Sequence, residues 1–247
     1  MLLNLAHRYT FPEQKPAQIH ELYIKDLGSI ELAFHKPKDF LKLNHVKFCR
    51  QIMDARWISV YAIHLPALKL DDVDLSSQII GKAIEMSVIL DCQNLVIHPP
   101  KITMERVEAF LNHTIEPLLE SSGARLCWET FLGGKRLFHD PHQIAEFVSG
   151  HPGAYAMCYD TAHMKEHGDV IRDLREHLAC IGVLHASNRT AGHKRLHLPI
   201  FHSEGVLDFS EILRLLRKAG FGGLLVLEYA REFWKEQLMD YGMLKQL

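Results

Sequence analysis

YAMCYDTAH, residues 155–163, is a run of β-favouring residues that ends on an acid, Asp160, and meets an imidazole three positions later, His163. Five other stretches follow the same grammar: IHLP at 63–66, VIHPP at 96–100, CWETF at 127–131, VLHAS at 183–187 and LVLEY at 225–229. They end on His64, His98, Glu129, His185 and Glu228. Each rim-type residue follows apolar residues and precedes a turn or a helix start. Six consecutive strands therefore carry a metal-capable side chain to the same end of a parallel β structure. In a closed βα barrel that end is one rim, where active sites are built. Any one of these acids also suits a cap on the next helix. A cap, however, need not fall at the last position of strand after strand. The pattern predicts a divalent metal centre in the mouth of a barrel.

Working outward, strands are expected at 2–6, 30–34, 58–64, 94–98, 125–129, 155–160, 181–185 and 224–228. Segments of helical period separate them. Residues 74–90 carry Leu75, Ile79, Ala83 and Met86 at spacings of three and four, and residues 103–121 carry Val107, Phe110, Leu111 and Ile115. Asp140-Pro141 reads as an N-cap with proline in the first turn, and Gly150 as the stop. Asp208 with Glu211 reads as a capping box, with Gly220 and Gly123 at helix C-termini. Eight alternations predict a (β/α)8 TIM barrel in which residues 1–247 form one domain, near the typical size of about 250 residues. An open doubly wound sheet is disfavoured, since no GxGxxG or P-loop follows any strand.

Bulk properties fit a compact enzyme. Hydrophobic residues make up 47% of the chain and charged residues 23%, enough for a sizeable core. A net charge of −2 gives no general pull toward nucleic acid or anionic membrane. No apolar run approaches the roughly 18 residues of a membrane span. MLLNLAHRYT lacks the flanks of a signal peptide, and five cysteines without a CxxC argue against disulfides. A cytoplasmic location is the expectation. Cys127 and Cys158 precede Glu129 and Asp160 by two residues, so each shares a strand face with its acid and belongs in the barrel interior beneath the site.

Glu129, Asp160, His185 and Glu228 make a mixed oxygen–nitrogen set for Mn²⁺, Mg²⁺, Co²⁺ or Zn²⁺. His64 and His98, each with a proline within two residues, suit a second metal shared with Glu129 or a substrate oxygen. His163 reaches the same cavity. His197 sits in a long loop, 186–207, that carries no expected secondary structure, and His193 and His202 compete with it for a place at the site. Arg189, Lys194 and Arg195 in that loop are candidates for a substrate phosphate. His7, His35, His113, His142, His167 and His177 read as surface or barrel-end residues, with His7 and His35 the two placed near the mouth. Phe233, Trp234 and Tyr241 serve packing or a homo-oligomer contact.

These residues carry a resemblance to the xylose-isomerase-like TIM-barrel superfamily, which contains sugar isomerases and epimerases and the endonuclease IV family. It spans nearly the whole chain, most specifically IHLP, VIHPP, WETFLGG, YDTAHM, VLHASN, HLPIFHSEGVLDF and GLLVLEY. The resemblance implies that Glu129, Asp160, His185 and Glu228 hold one divalent metal, that Glu129 and Glu228 move the substrate proton, and that His163 contacts a substrate oxygen. By resemblance to the endonuclease members, His64 and His98 would join Glu129 on one zinc. Asp160, His185 and Glu228 would hold a second, and His163 with an Asp-x-His pair a third. The chain departs from that last pattern. Counting back from His197, Arg195 stands at the aspartate position. The turn IFHSEG has two extra residues, with Phe201 and His202 where a glycine is expected, and Asn188 replaces an acid.

The departures weaken the nuclease reading more than the isomerase one. The leading expectation is a divalent-metal-dependent isomerase or epimerase of a small sugar, sugar phosphate or related hydroxy-carbonyl compound, with no nucleic-acid partner. The alternative is a zinc-dependent hydrolase of abasic DNA. A non-catalytic ligand-binding barrel is the third, since fold does not fix function.

Overall fold

The computed structural model describes residues 3–11, 28–54, 58–68, 72–99, 101, 104–111, 115–131, 137, 140–151 and 153–246. Strands β1 (Asn4–Phe11), β2 (Ser29–Phe34), β3 (Ser59–His64), β4 (Asn94–Ile97), β5 (Arg125–Glu129), β6 (Tyr155–Asp160), β7 (Ile181–Ala186) and β8 (Leu224–Leu227) run in sequence order around a closed barrel. Every neighbouring pair is parallel, and β1 closes on β8 with Ala6 opposite Val226. The expected (β/α)8 architecture is the observed one.

Helices α1 (Pro37–Lys42) and α2 (His45–Asp54) follow β2, α3 (Val73–Leu90) follows β3, and α4 (Met104–Phe110) and α5 (Glu116–Ser122) follow β4. Then α6 (Pro141–Gly150), α7 (His167–His177) and α8 (Phe209–Ala219) follow β5, β6 and β7, and α9 (Trp234–Gln246) ends the chain. Any helix between β1 and β2 falls outside the described residues. Among those described, no helix is long and apolar enough to cross a membrane. All five cysteines are free thiols.

The strands bury two different faces. Leu5, Tyr9, Ile63, Leu95, Trp128, Tyr159 and Leu184 point outward and join the helices in the main core. Ala6, Ala62, Val96, Cys127, Ala156, Cys158, Val183, Leu224 and Val226 form a separate cluster inside the barrel. This is the two-residue alternation of a strand closed on itself, and it places Cys127 and Cys158 inside, as expected. Helix α8 shows the complementary period: Phe209, Ile212, Leu213 and Leu216 are buried at spacings of three and four.

Three details differ from the sequence reading. The first strand runs to Phe11 rather than ending at Ala6, because His7 and Arg8 look like a polar stop yet both find burial. His7 faces outward, 1% exposed, with its ring stacked on Tyr241 at 3.9 Å. Burial with no hydrogen-bond partner among the described residues lowers its pKa to about 3, so it is a neutral aromatic spacer rather than a surface residue. Tyr241 is thereby a packing residue.

The segment 103–121 is not one helix. It divides into α4 and α5, with Pro117 in the first turn of α5, where its missing N–H is tolerated; residues 112–114 lie outside the described residues. The capping box at α8 is half formed. Asp208 accepts from the amides of Ser210 and Glu211, whereas the Glu211 carboxylate accepts from His167 Nε2 at 3.0 Å. The caps at Asp140, Gly123 and Gly220 are as expected, the two glycines with φ of 70° and 69°.

Candidate metal centre

Each rim side chain stands two residues beyond a small interior one. Ala62 lies beneath His64, Val96 beneath His98, Cys127 beneath Glu129, Cys158 beneath Asp160, Val183 beneath His185 and Val226 beneath Glu228. A floor of small side chains lets the longer polar ones above it converge on the barrel axis. One ligand atom from each of Glu129, Asp160, His185 and Glu228 lies within 4.8 Å of all the others. His64, Glu129 and His185 form a second such group, and Asp160, His163 and His197 a third.

Hydrogen bonds at the back of the imidazoles fix which nitrogen faces the cavity. A carbonyl only accepts, so His64 Nδ1, 3.1 Å from Leu65 O, carries its hydrogen. Its Nε2 is then turned toward Glu129 Oε2 at 3.4 Å. His163 Nδ1 donates to Thr130 O at 2.9 Å. His185 Nε2 donates to Glu31 Oε2 at 3.0 Å, which directs Nδ1 at Glu129 Oε1 (3.1 Å) and Glu228 Oε2 (2.5 Å). His98 Nε2 completes the ring around Glu129 at 3.0 Å from Oε2. An imidazole anchored through one nitrogen and presenting the other is the usual arrangement behind a metal ligand.

The residues fit a divalent cation. Asp160 Oδ1 caps the turn that follows it, accepting from Ala162 N at 2.8 Å, so the cap and the cavity divide the carboxylate between them. Its Oδ2 is buried without a hydrogen bond among the described residues, and Glu228 Oε2 is met by His185 Nδ1 at 2.5 Å. Buried carboxylate oxygens facing an imidazole nitrogen need a positive charge between them. His185 reflects that demand. Burial disfavours its charge, but the Cys158 sulfur and the Glu31 and Glu228 carboxylates hold its pKa well above the ordinary value. Cys158 itself stays a thiol, pushed up by burial, so the carboxylates are the effective countercharges.

Electrostatics separate the acids. Burial raises Asp160. Burial would raise Glu129 too, yet His98, His185 and His64 hold it well below the usual range. Arg8, His185 and His197 do the same for Glu228.

The eight residues expected at the site come together at one end of the barrel. His98 packs edge-on to His64 at 4.9 Å, His163 Nδ1 is 3.1 Å from Asp160 Oδ2, and His197 Nδ1 is 3.9 Å from Glu228 Oε1. The sequence reading missed Arg8 and Glu31. Glu31 is fully buried at the centre of SIELAF, and the Arg8 guanidinium bonds Glu228 and lies 4.0 Å from Glu31. The signal was there: both are charged residues inside β-favouring runs, where an unpaired charge is not tolerated. Among the outlying histidines, His142 and His177 face each other at 5.5 Å on the helical layer, and His113 lies outside the described residues.

The long loop is more ordered than its sequence suggests. Asn188 is 1% exposed and uses its whole amide: Nδ2 donates to Ile200 O and Leu207 O, and Oδ1 accepts from the Arg189 and Leu207 amides. Gly205 packs so closely that a Cβ there would meet Asn188 Nδ2 at 2.3 Å. Arg189 is buried and spent on the carbonyls of Met164 and Lys165, so it is no candidate for a substrate phosphate. His193 Nε2 donates to Met164 O and His202 packs edge-on to Phe233, which leaves His197 as the loop histidine that reaches the site. Arg195 turns outward to Glu204 at 3.1 Å and over Phe233. Asn188→Ala orphans several buried groups at about 1–3 kcal/mol each. Amide exchange across 188–207 is expected to speed by about tenfold or more while the strands stay protected, as hydrogen exchange would record.

Known proteins agree with this architecture. Two relatives, each named "Probable endonuclease 4", come from Staphylococcus saprophyticus and Geobacillus kaustophilus. They are 25% and 27% identical over 137 and 176 residues, covering 50% and 65% of this chain. The chain spans about half their length, 46% and 56%. The crystal structure of a D-tagatose 3-epimerase-like protein superposes with a TM-score of 0.72 at 17% identity, covering 99% of this chain and 98% of that one. The family model for the xylose isomerase-like TIM barrel matches residues 23–246, and the chain belongs to that family.

Proposed function

We propose that the chain is a divalent-metal-dependent isomerase or epimerase of a small sugar or sugar-like hydroxy-carbonyl compound, with Glu129 and Glu228 as its proton carriers. One observation carries the reading. Carboxylates from two separate strands reach His185 Nδ1 at 3.1 and 2.5 Å, and both are held ionised. Isomerisation through an enediolate needs such a pair. One carboxylate takes the proton from the carbon beside the carbonyl, the C–H electrons move into an enediolate, and a carboxylate returns a proton.

A divalent ion held by Glu129, Asp160, His185 and Glu228 would supply Lewis-acid polarisation of the substrate oxygens. The chain's own groups do the rest. His64 and His98 orient Glu129, Arg8 orients Glu228, and His163, pinned through Nδ1, presents Nε2 to a substrate oxygen. The 3-epimerase-like neighbour supports this choice. A substrate C–H should exchange with D₂O, stop with EDTA and resume with Mn²⁺, Mg²⁺ or Co²⁺. Absence of exchange across ketoses, aldoses and their phosphates and sugar acids would defeat the reading.

A second reading, zinc-dependent incision of abasic DNA, is favoured by the two relatives and by His64 and His98, whose Nε2 atoms face Glu129 Oε2 at 3.4 and 3.0 Å and suit a second metal shared with that carboxylate. Against it stand the net charge of −2 and Arg195 in place of an aspartate. The protein is expected to bind abasic duplex no better than ordinary duplex, and not to nick it at physiological salt. Efficient zinc-dependent incision would reverse the ranking.

A further inference from the structure

A cavity of about 240 Å³ lies at the ends of β1, β2 and β8. Its walls include Arg8, Thr10, His35, His197, Glu228 and Arg231. Glu228 and His197 therefore line both this cavity and the metal centre. The charge on its walls is lopsided. Among the described residues Glu228 is the one acid lining it, and its carboxylate is already engaged by Arg8 and His185. Arg8 is likewise committed to Glu228 and Glu31.

Arg231 is different. It is exposed, lines the cavity, and its side chain makes no hydrogen bond or ion pair among the described residues. Its backbone is fixed. The turn Arg231–Phe233 is closed by Phe233 N on Ala230 O at 2.8 Å, and Ala230 N donates to His197 O at 2.7 Å. A guanidinium with no partner among the described residues, on an anchored turn beside Glu228, is suited to a bidentate oxyanion.

We infer that this cavity is a subsite for an anionic group of the substrate, a phosphate or a carboxylate, with Arg231 as its main contact. The substrate would lie with its anionic end against Arg231 and its reacting carbon toward Glu228 and Glu129. The orientation rests on the isomerase reading above; the anion contact does not.

Calorimetric titration of inorganic phosphate and of acetate into the purified protein tests the contact and separates the two anion types. Wild type is expected to bind at least one of them saturably. Arg231→Gln should weaken that binding by about tenfold or more, the usual scale for a lost charge-assisted bond, with bound metal and thermal unfolding unchanged. Binding that is absent, or equal in both proteins, overturns the subsite; the second result would place the anion on the metal instead. In the D₂O exchange assay, paired neutral and anionic sugars complete the test. Exchange confined to anionic members supports the inference, and exchange confined to neutral ones refutes it while leaving the isomerase reading intact. Arg231-dependent anion binding with no exchange at all keeps the subsite and removes the isomerase.

Discussion

Glu129→Gln and Glu228→Gln are each expected to lower turnover by about 10²–10⁴-fold, the usual range for a lost acid–base group, with the fold intact. The substitution keeps volume and shape and removes the charge and the basic oxygen. In Glu129→Gln, His64, His98 and His185 lose the carboxylate that they share at 3.0–3.4 Å. In Glu228→Gln, Arg8 keeps Glu31 as a countercharge, so its guanidinium is not left alone in the barrel. Neither change empties a packed volume, so the expected shift in unfolding midpoint is small. Turnover, metal content and thermal unfolding should be measured on the same preparations. A variant that keeps its metal and still loses turnover separates proton carriage from ligation. Near-normal turnover in either variant, on a substrate the parent converts, would remove the two-glutamate mechanism.

Much of the site was legible because strand alternation and chain order are local properties. An acid or histidine at the end of six successive apolar runs needs no tertiary information to be placed on one rim. The small residue two positions earlier, as with Cys127 before Glu129, even indicates which face is the interior. What stayed hidden depends on partners distant in sequence. Glu31 becomes tolerable in the middle of β2 only because His185, 154 residues later, donates to it. Arg8 depends on Glu228, 220 residues away. His7 looked polar and proved to be packing because its partner, Tyr241, is on the last helix. The loop's order was also invisible, since Asn188 gathers bonds from 12 and 19 residues ahead. Composition counts Arg189 and Arg195 as a basic loop. The structure spends the first on carbonyls and the second on Glu204, so neither faces a ligand.

Asp160→Asn and His185→Ala are expected to abolish retention of a metal through gel filtration, whereas His197→Ala retains it. Asp160 and His185 sit at the ends of β6 and β7, fully buried, and each offers an atom to the four-residue group. An amide at 160 replaces an anionic oxygen by a neutral one, or by an NH₂ that repels a cation. Alanine at 185 deletes the nitrogen that Glu129 and Glu228 both face. His197 stands apart from that group. Its Nδ1 is bonded to Ser187 Oγ at 3.2 Å, it groups with Asp160 and His163, and it reaches Glu228 Oε1 only at 3.9 Å. That cluster has a single carboxylate, and the nearby Arg195 turns away to Glu204. One anion and two imidazoles, one of them on the loop, form a poorer site than three carboxylates and an imidazole on rigid strands. Elemental analysis of the parent and the three variants decides the matter. A parent with one metal per chain that only Asp160→Asn and His185→Ala lose fits the isomerase. Loss of part of a larger complement in His197→Ala would establish a further metal site, and would move the chemistry toward phosphodiester hydrolysis.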